Sequence, residues 1–211
     1  MNPDFSRLDA HLDSLDVAAY LIDAAGSDAT QRYLSGFNAP DPFVTCYTPD
    51  GLSVLVSGLE YGRAKTESHA DRVKRPVDYD RRELVDTYGP IEADHRVTAA
   101  FLADCGVDSV AVPERFPVGT ADGLREQGIE VVVDTDDVLI DIRAIKTPPE
   151  LDYIRTAQQA NEAAMAAAEA AIRKATVDSD GRLTLDDDVL TSERVKTVIE
   201  TTLLEHGCGL D

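Results

Sequence analysis

The apolar positions of this chain change rhythm near residue 141, and the two rhythms predict different elements. Before that point short β-branched runs alternate with stretches of helical period. Phe5, Leu8, Leu12 and Leu15 share one side of an amino-terminal helix. The run VAAYLI at 17–22 is apolar on both faces, as a strand covered from both sides must be. FVTCYT at 43–48 and LSVLV at 52–56 flank Pro49-Asp50-Gly51, where Gly51 can supply positive φ, which predicts an antiparallel hairpin. A helical stretch around 61–69 then precedes a short strand near 73–79. A helix from about 94 to 105 stops at Gly106, and a strand follows at 109–113. A helix at 119–127, stopped by Gly128, leads to a last strand at 129–133. The pattern predicts an α/β fold: a mixed sheet of five or six strands with helices on both faces, much of it parallel through βαβ crossovers.

The second region, 141–211, begins with a helix start. Thr147-Pro148-Pro149-Glu150 combines a capping box with prolines where a helix lacks intrahelical N–H partners anyway. A long helix should run from 148 to about 174, with an inward stripe of Leu151, Ile154, Ala157, Ala164, Ala168 and Ile172. That stripe is poor in bulk and implies a closely packed partner. Residues 176–193 carry six acids against Arg182 alone and predict a solvated loop or turn pair. The Asp cluster lacks the glycine and terminal Glu spacing of a calcium-binding EF-hand loop. A final amphipathic helix over 191–206 is capped by Thr191 or Ser192 and stopped at Gly207.

A chain of 211 residues, 43% of them hydrophobic, can build one large domain, or one ordinary domain and part of a second. No apolar run approaches the roughly 18 residues of a membrane-spanning helix. The acidic, amphipathic amino terminus lacks the basic start and apolar stretch of a secretory signal. These features predict a soluble protein of the cytoplasm with no membrane partner.

Charge changes the picture more. Forty acidic residues face 20 basic ones for a net charge of −20; 27 of the acids are Asp and only 5 of the bases are Lys. Such a surface repels itself at ordinary ionic strength, whereas molar salt shortens the Debye length to about 3 Å and removes most of the repulsion. The composition therefore predicts adaptation to a salt-loaded cytoplasm. It disfavours nucleic acid as a partner, because that requires a basic footprint.

Candidate chemistry is sparse. There is no GxGxxG after a strand, no GxxxxGK[ST] phosphate loop and no GxSxG nucleophile elbow. Cys46, Cys105 and Cys208 lie far apart without CxxC spacing, which excludes a disulfide framework or zinc knuckle; Cys46 and Cys105 are expected to be small buried apolar side chains. His11, His69, His95 and His206 stand alone, so surface or capping roles are expected for each. Carboxylates are too numerous for any pair to mark an acid and a base.

Two segments nevertheless carry a resemblance. QRYLSGF at 31–37 is similar to the R-Y-L-T/S-G-F segment after the first strand of the amino-terminal domain in metallopeptidases of the creatinase, prolidase and aminopeptidase P type. LIDIRAIKTPPELDYIRTA at 139–157 resembles that family's R-x-I-K-S-P-x-E-I-x-x-I-R-x-A junction into the catalytic domain. With the element order between them, the resemblance covers essentially the whole chain. It implies a creatinase-like, ribonuclease H-like amino-terminal domain over 1–140, followed over 141–211 by the first helices of an incomplete pita-bread catalytic domain.

The resemblance implies that the parent protein is a metal-dependent Xaa-Pro peptidase, a dipeptidase or an aminopeptidase acting on proline-containing peptides. In that family two divalent ions of the Mn or Co type, held by two Asp, one His and two Glu, carry the water that attacks the bond before proline. None of those ligands is matched here, so no cofactor, metal ligand or catalytic residue is assigned, and the 211 residues alone are expected to be inactive. The implied roles of the amino-terminal domain are to gate the cleft and to support a homodimer. The stiff Pro-containing loop after Gly36 makes Arg32, Tyr33, Phe37, Asn38 and Phe43 the candidate cleft lining. The apolar faces of the last two helices, which would serve to cover a sheet, are expected to be poorly ordered or to pack against a neighbouring chain. The alternatives are a non-catalytic interaction module on the same fold and another hydrolase reaction such as creatine hydrolysis.

Overall fold

The computed structural model describes residues 4–209, which divide into two compact units, Met1–Ile145 and Lys146–Asp211. In the first unit the elements run α1 (Ser6–Leu15), β1 (Ala19–Ala24), α2 (Ala29–Ser35), β2 (Phe43–Thr48), β3 (Gly51–Leu55), α3 (Tyr61–Glu67) and β4 (Arg72–Lys74). A 3-10 turn (Pro76–Tyr79) leads to α4 (Arg81–Tyr88), α5 (Pro90–Asp104), β5 (Ser109–Pro113), α6 (Val118–Glu126), β6 (Glu130–Asp134) and α7 (Val138–Ala144).

The strands form one six-stranded mixed sheet in the order β4-β3-β2-β1-β5-β6. Only β2 runs against its neighbours; β1 with β5, β5 with β6 and β3 with β4 are parallel. Alternation along the strands explains the two-sided apolar runs. Leu21, Cys46, Val110 and Val112 point to one face, where Val97, Phe101 and Leu102 of α5 and Leu124 of α6 cover them. Tyr20, Ile22 and Tyr47 point to the other, under Leu8 and Leu12 of α1, Leu34 of α2 and Leu139 and Ile142 of α7. A third cluster, Phe37, Phe43, Val54, Val56 and Ala64, extends that second face beneath α3.

The hairpin forms where expected, with Thr48 paired to Gly51 across Pro49-Asp50. Several details differ. The strand expected near 73–79 ends at Lys74, because Pro76 has no N–H to give a ladder and Asp78 accepts instead from the Arg75 backbone at 2.9 Å. The helix expected from about 94 begins at Pro90, with proline in the first helical position. Helices α4 and α7 have no counterpart in the sequence expectations. α7 spans the expected boundary between residues 140 and 141, and it folds because Val138, Leu139 and Ile142 are buried in the first unit.

In the second unit α8 spans Pro148–Lys174, and Glu150 accepts from both the backbone N–H and the hydroxyl of Thr147 at 2.7 Å. α9 covers Ser192–Glu205, with the Thr191 hydroxyl accepting from the Arg194 N–H. The two helices expected to seek cover elsewhere pack on each other. The buried stripe of α8 is Ala160, Ala164, Ala168 and Ala171, which keeps Ala164 and Ala168 of the predicted row, while Leu151, Ile154, Ala157 and Ile172 are exposed. The all-alanine ridge lets a helix approach closely, which the bulkier row would prevent.

The region expected as a loop instead holds a small antiparallel sheet, β7 (Thr176–Val177), β8 (Leu183–Leu185) and β9 (Asp188–Val189). Asp186 and Asp187, both at positive φ (54° and 65°), make its two-residue turn. Asp tolerates the left-handed region through local hydrogen bonding, and the primed turn it permits suits a hairpin.

Candidate functional site

The order of the sheet reverses at β1. The chain moves from β1 to one side through β2, β3 and β4, then crosses to the other side for β5 and β6. Between the carboxyl ends of β1 and β5 the loops leave in opposite directions, the place where open α/β sheets form a crevice. A cavity of about 520 Å³ lies there, lined by Tyr20, Asp23, Asp28, Thr30, Glu114, Arg115 and Arg143 among others. A second cavity of about 440 Å³, bounded by Phe43, Pro76, Ile91, His95 and Thr120, shares Asp23 with the first.

Asp23 is the pivotal charge. It sits near the end of β1 and accepts a hydrogen bond from Thr120 at 3.2 Å. Burial pushes its carboxyl above the ordinary range, and the Thr120 bond only partly offsets this. Beneath the first cavity lies a closed polar cluster. Asp134 at the end of β6, 1% exposed, receives the Tyr20 hydroxyl at 3.0 Å and the Asp136 N–H at 2.9 Å, with His11 Nε2 also at 3.0 Å. A buried carboxylate held by three partners is satisfied. Burial, and secondly the Asp134 charge, push the Tyr20 hydroxyl well above its usual range, so it remains a fixed donor. His11 thus has a structural partner 123 residues away, which no local spacing could reveal.

The QRYLSGF segment is α2 with its exit. Asp28 caps the helix through its side chain. Gln31, buried, donates to the carbonyls of Ala24 and Phe43 and so ties the end of β1 to the start of β2. Ser35 donates to Gln31 O and accepts from the Phe37 N–H. Gly36 sits at φ 67°, and a Cβ there would come within 2.6 Å of the His69 ring. Gly26 has no room for a side chain either, since a Cβ would stand 2.5 Å from Ala39 N.

The candidate lining residues accordingly separate. Phe37 and Phe43 are buried and meet edge to face at 5.6 Å. Tyr33 is half-buried, with its ring 6.2 Å from that of Phe5. Arg32 and Asn38 are exposed. Of the five, only Phe43 borders either cavity at the carboxyl edge. Sequence reasoning missed Asp23 and Thr120; the available signal was an acid at the end of an otherwise apolar strand.

Among the described residues no group of three or more His, Cys, Asp or Glu is arranged to hold a metal ion, and no helix is long and apolar enough to cross a membrane. The carboxylates and guanidinium groups at the carboxyl edge can hydrogen-bond a polar ligand or a neighbouring loop. No Ser, Thr or Cys there pairs with a His as a nucleophile would need.

The fold is similar to that of solved peptidases. The prolidase from Pyrococcus horikoshii OT3 superposes with a TM-score of 0.63 at 19% identity, over 94% of this chain and 47% of that one. The Xaa-Pro dipeptidase from Bacillus anthracis gives 0.65 at 14% identity (95% and 48%). The X-Pro aminopeptidase from Thermotoga maritima MSB8 gives 0.61 at 16% identity (97% and 49%). At such identities the likeness is one of fold, and the chain spans about half the length of these structures. No curated protein matches it. Residues 5–145, more than half of the chain, match the creatinase/prolidase N-terminal domain, and the chain belongs to that family.

Proposed function

We propose that this chain is the amino-terminal portion of a metal-dependent Xaa-Pro peptidase, a hydrolase that cuts the bond before proline in dipeptides or longer peptides. The observation that carries the reading is family membership over residues 5–145 combined with a fold shared with prolidase and X-Pro aminopeptidase over 94% or more of the chain. In this reading 1–140 is the creatinase-like domain and 141–211 opens the pita-bread catalytic domain. Two divalent ions of the Mn or Co type would activate the attacking water. The described residues do not fit that role, and no step is assigned to them.

The portion's own part is to border the cleft and to support a homodimer. Leu59, Val77, Ile91 and Val118, all exposed, follow β3 and β4 or begin α5 and α6 at the carboxyl edge of the sheet. An apolar rim of this kind supports coverage by another protein surface. Arg32 and Asn38 are the members of the candidate lining exposed to meet a peptide, while Phe37 and Phe43 hold the loop from beneath. The acidic surface suits a salt-loaded cytoplasm.

The test is to express the full-length parent and assay Xaa-Pro dipeptides and longer Xaa-Pro peptides with Mn²⁺ or Co²⁺. Cleavage before proline is expected. Absence of cleavage with any metal overturns the proposal and leaves a non-catalytic interaction module on the same fold.

A further inference from the structure

The carboxyl edge of the sheet holds an acid without a counter-ion. Leu21 of β1 points to the face covered by α5 and α6, and Asp23, two residues on, points the same way because strand side chains alternate. The hydrogen bond it accepts from Thr120 of α6, at 3.2 Å, fixes its carboxyl on that side. Among the described residues no cation pairs with it, and Thr120 is the one group that offsets its burial. A partly buried carboxylate with a single neutral donor is costly to keep charged.

Asp23 lines the cavity of about 440 Å³ that the sheet, α5 and α6 enclose, a volume within the roughly 300–1,000 Å³ of small-molecule sites. Val44 and Leu55 of the sheet and Val97 of α5 give it an apolar wall. The His95 ring belongs to the wall too, wedged against α6 where a Cβ on Gly123 would collide with it.

The charges around the cavity decide the sign of its ligand. Its ionisable lining is Asp23, Asp94 and His95, with no Lys or Arg. Asp94 is already engaged by Arg81 at 2.6 and 3.1 Å, which leaves Asp23. The net charge of −20 draws cations toward such an opening. A hard metal ion is a poor match: Ca²⁺ takes about six to eight oxygen ligands, and no three ligating side chains are grouped among the described residues. An ammonium group needs one carboxylate, carries its own hydrogen-bond donors and can bring an apolar body to the wall.

We propose that this cavity binds a small primary ammonium ion with a compact apolar body, the ammonium on Asp23 and the body against Val44, Leu55 and Val97. The ligand supplies the counter-ion that the fold lacks, while Thr120 holds the carboxylate in place to receive it. The site lies within the first unit and is independent of the peptidase reading, so its test needs neither metal nor cleavage.

The experiment titrates the ¹⁵N-labelled full chain with isopentylamine near neutral pH at fixed ionic strength, and follows the amide resonances. Those of Asp23, Thr98 and Thr120 should shift together and saturate. Isopentanol, the same body without the charge, and methylammonium, the charge without the body, should each bind about tenfold or more weakly, and isovalerate should not bind. Asp23→Asn keeps an acceptor for Thr120 and should weaken isopentylamine by about tenfold or more. Ser57→Arg, at an exposed position of the lining, should weaken it as well by adding a cation. The proposal is overturned if isopentylamine moves none of these resonances, or if isopentanol or isovalerate binds as tightly on the unaltered chain. It is equally overturned if Asp23→Asn keeps both the native spectrum and the amine affinity; should that variant not fold, the comparison of the four probes on the unaltered chain decides.

Discussion

Glycine 36 is held by two constraints at once, a left-handed backbone (φ 67°) and the face of the His69 ring. A Cβ in the left-handed region costs about 1–2 kcal/mol, and displacing the ring adds to that. Gly62, within α3, has neither constraint, with nothing within 4 Å of a built Cβ. Gly36→Ala should therefore destabilise by about 1–3 kcal/mol, whereas Gly62→Ala should stabilise by about 0.5–1 kcal/mol. Urea unfolding of both variants checks this, and two values of the same sign would contradict it. At this scale the QRYLSGF segment was legible as a pattern but not as a mechanism. Its buried Gln31 acts through the carbonyls of Ala24 and Phe43, and the constraint on Gly36 comes from a ring 33 residues along the chain.

Elements whose ends carry their own hydrogen-bonding signals were placed well. α8 begins at Pro148 because Glu150 reaches back to Thr147, and the β2–β3 hairpin forms around Pro49-Asp50. Elements stabilised only by what they pack on were missed. α7 exists through Val138, Leu139 and Ile142 in the core, and the Asp186-Asp187 turn carries none of the usual Asn-Gly signal. The face of α8 was read only in part for the same reason: Ala164 and Ala168 lie on the buried ridge, but Leu151, Ile154 and Ile172 do not, and the ridge is alanine throughout. Ala168→Leu should overpack that ridge and cost about 1–3 kcal/mol, while Ile172→Ala should cost well under half as much. Thermal unfolding of the two variants tests the assignment; a larger loss for Ile172→Ala would restore the predicted face.

For the whole molecule, charge is the governing quantity. A net −20 over 211 residues opposes compaction. With 40 acidic residues against 20 basic ones, ion pairs such as Arg81–Asp94 and Lys74–Asp104 can engage only part of the acidic set. Raising KCl from about 0.1 M to 3 M shrinks the Debye length from about 10 Å to under 3 Å. The melting temperature should rise across that range, by more than it does for a chain of near-zero net charge. A flat or falling profile would remove the salt-loaded cytoplasm from the proposed setting.

The sequence by itself determined the α/β class, the two-sided burial of the central strands, the helix caps and the family resemblance, because periodicity, capping and turn chemistry act over a few residues. Tertiary structure alone decided which partners meet across distance. It set Asp23 between two cavities where the strand order reverses, bonded it to Thr120, and closed His11 and Tyr20 on Asp134. Those meetings follow from strand order and register, which bring residues 97 to 123 positions apart into contact, and no local pattern encodes such a distance.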